Sequence, residues 1–239
     1  MREAILYYAV KYHGDWTKIA MAIQHKEAWF PIDCKDKYVT IVDEYYPDAF
    51  RALRYPPWIL FYKGDYSLLE TRCIGVIGAR ICSKEALMNT ERIVKTIRNQ
   101  CTVVSGLAKG IDGCAHTYAK RTIGIIGCGI NRIYPKENTG LFQYMKEHQL
   151  IVSEYPDMTP PLARHFPWRN RLIAALSEPL VVIEAKYKSG TMLTVNEALA
   201  LSKTIYCVPT AFQNTEYPGC NYLISCGAQI LLEPQELLK

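Results

Sequence analysis

From residue 73 onward the chain alternates short, nearly continuous apolar runs with longer segments whose apolar residues recur at helical spacing. The runs fall at residues 73–77, 102–105, 122–126, 150–154, 180–184, 204–208 and 228–232. They do not alternate apolar with polar, so they predict strands covered on both faces. Between them, Ser83 caps a helix with Ala86, Thr90, Ile93 and Ile97 on one face, and Ile111, Ala115, Tyr118 and Ala119 mark a second. Thr194 and Glu197 have capping-box spacing and predict a third helix start. Strands alternating with helices of this length imply an α/β fold with a doubly wound, mostly parallel sheet. Such sheets take ligands outside the carboxyl ends of their strands.

The pattern upstream is different. Ile5, Ala9 and Tyr12, then Ile19, Ala22 and Ile23, have helical spacing, with Asp15 as an N-cap between the two sets. Residues 38–42 and 58–62 are short strand candidates separated by Pro47, Pro56 and Pro57, and Gly64-Asp65 reads as a turn. The composition shifts at about residues 64–72. The chain therefore divides into a small, mainly helical N-terminal region with its linker, residues 1–65, and a main α/β domain, residues 66–239.

Composition narrows the class. With 239 residues, 49% hydrophobic and 21% charged, the chain is ordinary globular protein able to bury a sizeable core. A net charge of +5 leans towards an anionic partner only if the cations cluster. The nine cysteines contain no C-x-x-C pair and several sit in apolar runs, which predicts reduced thiols in a cytoplasmic protein. The five histidines lack ligand spacing, so no metal is expected. No secretory signal is visible, and no apolar run approaches the roughly 18 residues of a membrane helix.

Candidate chemistry gathers at the predicted strand ends. Val103-Val104-Ser105-Gly106-Leu107-Ala108-Lys109-Gly110-Ile111-Asp112 reads as a strand, a glycine-bearing loop and a helix start, which suits an anion cradle with Lys109 inside it. The same residues also suit a tight strand-to-helix turn with a solvated lysine. Gly78-Ala79-Arg80, Gly127-Cys128-Gly129, Ile133-Tyr134-Pro135 and Lys186-Tyr187-Lys188-Ser189-Gly190-Thr191 follow other strands, most of them with small residues beside a cation. Arg164-His165-Phe166-Pro167-Trp168-Arg169-Asn170-Arg171 interleaves cations with rings, as single-stranded nucleic acid requires. Taken alone, that segment reads more readily as core aromatics with a solvated arginine face.

Two enzymatic readings find little support. A dinucleotide-dependent oxidoreductase needs G-x-G-x-x-G after the first strand and an acid ending the second, and Gly75-Val76-Ile77-Gly78 and Ser105-Gly106 supply neither. Ser105, Asp112 and His116 lack the surroundings of a nucleophile elbow, and Asp112 and His116, four apart, read as a structural contact.

In order along the chain, Gly75–Arg80, Val104–Asp112, Ala115-His116, Gly127–Gly129, Ile133–Pro135, Asn138, Ser153–Pro156, His165–Ile173, Ser189–Thr191, Val208-Pro209, Gly219–Asn221 and Gly227-Ala228 resemble the DNA-processing protein A (DprA/Smf) family of bacteria over about residues 40–233. The resemblance implies an extended Rossmann-like domain in a cytoplasmic, non-enzymatic protein without cofactor. It implies a single-stranded DNA binder that mediates recombination during natural transformation, loads a RecA-type recombinase and forms a homodimer through the Rossmann-like domain. It assigns phosphate contact to Arg80, Lys109, Arg169 and Arg171, and donor roles to Ser105, Gly106, Ser189 and Gly190. Gly127, Gly129, Asn170, Lys188 and Thr191 complete the DNA-binding set, with Tyr134, Phe166 and Trp168 as base-stacking candidates. About four phosphate contacts predict a log affinity–log salt slope near −3.

This sequence departs from the family pattern at Trp168, where an arginine or another polar residue is expected. The N-terminal region shows no glycine-bearing hairpin between helices, and no C-terminal winged helix is expected after residue 232. The alternative is a nucleotide-binding or phosphoribohydrolase-type enzyme on a related scaffold. Of the P-G-G-x-G-T loop such enzymes carry, only Ser189-Gly190-Thr191 remains, with Glu197 six residues beyond Thr191.

Overall fold

The computed structural model describes residues 1–157 and 159–239. In chain order the elements are α1 (Arg2–Lys11), α2 (Trp16–Gln24), β1 (Lys37–Thr40), α3 (Asp48–Arg51), β2 (Ile59–Gly64), β3 (Cys73–Ile77), α4 (Lys84–Ile97), β4 (Thr102–Ser105), α5 (Ile111–Tyr118) and β5 (Thr122–Ile125). They continue with α6 (Thr139–His148), β6 (Leu150–Ser153), α7 (His165–Leu176), β7 (Leu180–Val182), α8 (Gly190–Ala200), β8 (Ile205–Cys207), α9 (Gly219–Ser225) and β9 (Gln229–Ile230).

All nine strands form one sheet in the order β1-β2-β6-β5-β4-β3-β7-β8-β9. Strands β3 to β9 pair in parallel, while β1 and β2 join antiparallel at the β6 edge. A boundary at residue 65 therefore cuts through the sheet, because β1 and β2 lie before it and β3 to β9 after it. From β3 the chain first winds outward through β4, β5 and β6, then returns to place β7 on the other side of β3. This creates a topological switch point between β3 and β7.

The strand runs lack alternation because both faces are covered. Every residue of β3, β4, β5, β6 and β7 is buried. On one face Ile74, Val76, Val103 and Val181 meet Ala86, Ile93 and Ile97 of α4 and Ile111 and Ala115 of α5. On the other, Ile77, Val104, Ile125 and Val182 meet Leu172, Ile173 and Leu176 of α7 and Val195 and Ala198 of α8. Each such buried aliphatic side chain contributes about 1.5–3 kcal/mol relative to exposure.

Side-chain caps fix the starts of α2 and α4. Ser83 caps α4, its hydroxyl accepting from the Ala86 N–H at 3.0 Å. Asp15 caps α2 by accepting from the Lys18 N–H at 3.1 Å. Thr194 lies inside α8, which starts at Gly190 after Ser189, so the capping box expected at Thr194–Glu197 is not formed. The turn joining α1 to α2 does contain a glycine, contrary to the sequence reading. Gly14 has φ +75°, and a Cβ there would lie 2.8 Å from the Glu154 carbonyl oxygen, so only glycine fits this approach to the sheet domain.

Candidate nucleic-acid interface

At the switch point, where β3 and β7 end, opens a cleft of about 650 Å³. Arg80 from the β3 loop, Lys186 from the β7 loop, the N-terminus of α8 and the rings of Tyr134 and Phe166 line it. Arg169 and Asn170 of α7 and Asp112 of α5 form part of its wall.

The 105–112 loop is not an open anion cradle, because the protein fills it from within. The Asp112 carboxylate accepts from the Gly106 N–H at 3.1 Å, and the Ala108 amide also favours its charged form. Ser105 is fully buried and its hydroxyl donates to the Val76 carbonyl at 2.7 Å. The Ile111 N–H at the start of α5 donates to the Ala79 carbonyl. Gly110, at φ +73°, packs so closely that a Cβ would lie 2.4 Å from that carbonyl oxygen. Ser105 and Gly106 are therefore scaffold, and the loop braces the backbone that carries Arg80. Lys109 stays at the surface in an ion pair with Glu137 and does not line the cleft. His116 does not meet Asp112: its Nδ1 lies 2.6 Å from the Thr122 hydroxyl. That hydroxyl donates to the Val103 carbonyl, so Nδ1 carries the proton.

Arg169 and Arg171 are not available to phosphates either. The segment that reads as a ladder of cations and rings is the first half of α7, with Pro167 tolerated in its first turn. From Arg169 to Leu176 every residue of α7 is buried, so both arginines point into protein although they lie on different faces of the helix. Arg169, 4% exposed, donates to the carbonyls of Gly106 and Ile125 and to Asn170 Oδ1. Burial pulls its pKa down to about 10, partly offset by Asp112, so it stays charged at neutral pH. Burial likewise raises Asp112, against the pull of Arg169. Arg171 makes two bonds of 2.6 Å to the buried Glu154 carboxylate and donates to the carbonyls of Tyr55 and Trp168. Asn170 is buried too, donating to the Gly190 carbonyl at 3.3 Å, so it locks α7 to the start of α8.

The glycines at 127 and 129 serve packing rather than ligand approach. A Cβ at Gly127 would press on the Phe166 ring at 3.1 Å, and one at Gly129 would lie 1.9 Å from the Asp157 carbonyl oxygen. Trp168 lies on the face of α7 turned from the cleft, between Tyr55 at 5.6 Å and the Arg171 guanidinium at 4.3 Å. Lys188 is exposed outside the cleft, whereas Lys186, two residues earlier in the same loop, lines it. The sequence signal for Lys186 was its position at the strand end, before the loop turns outward.

The remaining expected residues do come together. Arg80 is exposed, has no ion-pair partner among the described residues, and holds its guanidinium 5.5 Å from the Phe166 ring. Phe166 and Tyr134 lie 5.4 Å apart, ring to ring. Ser189, Gly190 and Thr191 form the N-terminus of α8, where the Ser189 hydroxyl oxygen is buried without a hydrogen-bond partner in the structure. A Cβ at Gly190 would meet nothing within 4 Å. Here, unlike at α5, helix N–H groups face open space, and a helix N-terminus favours an anion. Lys186 is held at the rim by Glu216 at 3.0 Å, an exposed pair that a stronger anion can displace at little cost.

Glu184 fixes the Arg80 loop. Its buried carboxylate accepts from the Ser83 N–H at 2.8 Å and the Ser83 hydroxyl at 2.7 Å, and its carbonyl accepts from the Ala79 N–H. Glu197, the acid that a phosphoribohydrolase reading requires, does not line the cleft. Among the described residues no cluster of histidine, cysteine or carboxylate could hold a metal, and no helix is long and apolar enough to cross a membrane.

Comparison with known proteins identifies the family and the fold. A family model described as DNA recombination-mediator protein A matches residues 37–239. The DNA processing protein DprA of Streptococcus pneumoniae is 37% identical over 203 residues, covering 83% of this chain and 72% of its own. That of Bacillus subtilis is 36% identical over 207 residues, covering 84% of this chain and 70% of its own. Among solved structures, DprA from S. pneumoniae superposes with a TM-score of 0.84 at 32% identity, covering 98% of this chain and 90% of that one. DNA processing protein A from Helicobacter pylori, described for its single-stranded DNA binding mode, superposes with a TM-score of 0.78 at 31% identity, covering 85% of this chain and 95% of that one.

Proposed function

The chain belongs to the DNA recombination-mediator protein A family, and from that premise we propose that the cleft between β3 and β7 binds single-stranded DNA by its backbone and stacks bases on Phe166 and Tyr134. The observation that carries this reading is the open α8 N-terminus, with the partnerless Ser189 hydroxyl, facing the same cleft as the unpaired Arg80. A phosphate there receives helix N–H groups, a hydroxyl and a guanidinium. Lys186 exchanges Glu216 for a phosphate. A base must leave its stack to reach Phe166, so an unpaired strand is the natural ligand, and each stacked base contributes about 1–3 kcal/mol. No contact in this set reads base edges, so binding is tolerant of sequence.

In the wider reading the protein is a non-enzymatic mediator. It coats incoming single strands in the cytoplasm during natural transformation, hands them to a RecA-type recombinase, and acts as a homodimer through the sheet domain. The membership of the family supports this reading.

Fluorescence anisotropy with a labelled oligonucleotide across a salt series tests the binding. With Arg80 and Lys186 as the phosphate contacts the slope of log affinity against log salt is about −1.4, shallower than four contacts would give. Arg80→Ala reduces it by about 0.7 and weakens all sequences alike. Salt-insensitive binding, or equal affinity for duplex, overturns the reading. Release of free base from nucleoside monophosphates would establish an enzyme instead.

A further inference from the structure

A second aromatic and cationic surface lies across α7 from the cleft. The rings of Trp16, Tyr55 and Trp168 form a chain, with Trp16 5.2 Å from Tyr55 and Tyr55 5.6 Å from Trp168. Arg54 lies over the Tyr55 ring at 5.2 Å. Arg54, Tyr55, Arg164 and Pro167 are exposed, and Trp16 and Trp168 are half-buried. Arg54 and Arg164 have no ion-pair partner among the described residues. The nearest acid on the N-terminal pair, Asp15, is engaged as the cap of α2. Trp16 is fixed from both sides: its indole N–H donates to the Pro56 carbonyl at 2.7 Å, and its own carbonyl accepts from Trp58.

Packing of the N-terminal pair onto the sheet explains Trp16 and Trp58. It does not account for an exposed tyrosine between two half-buried indoles with two unpaired arginines beside them. Only the first turn of α7 separates this surface from the cleft, since Phe166 and Pro167 line the cleft while Arg164 and Trp168, four residues apart, share another face of the helix. The intervening obstacle is one helix end, about 10–12 Å across with its side chains, and Arg164 stands at its N-cap position without a side-chain capping bond.

We propose that the single strand leaving the cleft crosses the first turn of α7 beside Arg164 and stacks further bases on Trp168 and Tyr55, with Arg54 against its phosphates. This extension rests on the cleft being a single-strand site. Its occupant is the same strand, because unpaired cations interleaved with accessible rings are the chemistry that such a strand uses. Trp168 then has a role that a smaller polar residue on this face could not fill.

The test uses the full chain and two labelled oligothymidylates, one of about 6 and one of about 15 nucleotides, spanning the site sizes of single-strand binders. The double variant Arg54→Glu/Arg164→Glu removes exposed side chains without ion-pair partners and leaves the fold intact. It is expected to weaken the longer strand at least tenfold and leave the shorter one unchanged. Trp168→Leu gives the same length-selective loss, Trp168→Phe retains binding, and the longer strand quenches tryptophan fluorescence more than the shorter. Equal affinity of the arginine variant and the native chain for both lengths, with equal quenching, overturns the extension. Failure of both strands to bind the native chain, or failure of Arg80→Ala to weaken the shorter strand, overturns the cleft reading itself.

Discussion

Replacing Arg171 by methionine separates a structural arginine from a DNA-binding one. The guanidinium is 5% exposed, the Glu154 carboxylate 6%, and two bonds of 2.6 Å join them. Methionine fills most of the volume but leaves Glu154 buried without its counter-charge and frees the carbonyls of Tyr55 and Trp168. Removing one partner of a buried pair costs about 3–5 kcal/mol, a large fraction of the 5–15 kcal/mol that holds a typical domain together. With a urea m-value of about 3 kcal/mol per molar, the unfolding midpoint falls by about 1–1.7 M. The folded fraction should still bind a short oligonucleotide, with an unchanged salt slope. The double replacement Glu154→Leu/Arg171→Met removes both charges and recovers most of the loss, since apolar substitutes for a buried pair are often neutral or better. An unchanged midpoint together with lost DNA affinity would refute the structural role and return Arg171 to the binding site.

Other outcomes follow from the same geometry. Burial holds His116 at about 3, against an ordinary value near 6.5, so the unfolded chain takes up a proton that the folded chain refuses. Stability is therefore fully present above about pH 6.5 and lost as pH falls, by about 2 kcal/mol between pH 7.5 and 5 from this group. His116→Met should flatten that part of the profile in chemical denaturation, and an unaltered profile would count against it. Gly106→Ala places a Cβ 2.7–2.8 Å from the Arg169 guanidinium and Asp112 Oδ2, and should cost about 1–3 kcal/mol in thermal unfolding. Ser189→Ala removes a hydroxyl that has no protein partner, so stability should hold or rise by up to about 1 kcal/mol while oligonucleotide affinity falls; a lower melting temperature would reveal a missed partner.

The sheet is legible because its apolar runs are short, unalternated and regularly interleaved with helical segments, and the runs at β3 and β4 match the observed strands residue for residue. Caps at Asp15 and Ser83 were legible for the same local reason. The role of the 105–112 loop was not, because spacing cannot say whether an anion at a helix start comes from a ligand or from the chain's own Asp112. The burial of Arg169 and Arg171 is not legible, because a proline beside alternating cations and rings masks the helix and nothing in the spacing says that α7 is enclosed on every side from Arg169 on. Ser189, Gly190, Thr191, Arg80 and Tyr134, marked by their places after strand ends, and Phe166, marked by its place among cations, line one cleft, which Lys186 lines and Lys188 does not.

A single strand lying in the cleft between β3 and β7 must leave its bases against the cleft's rings. Photocrosslinking of a short oligonucleotide carrying bromodeoxyuridine, followed by mass spectrometry of the digested protein, tests it directly. Adducts are expected on Phe166 and Tyr134, reduced by Arg80→Ala and abolished by unlabelled single strands but not by duplex. Adducts confined to the α4–α5 face, with none in the cleft, would contradict it.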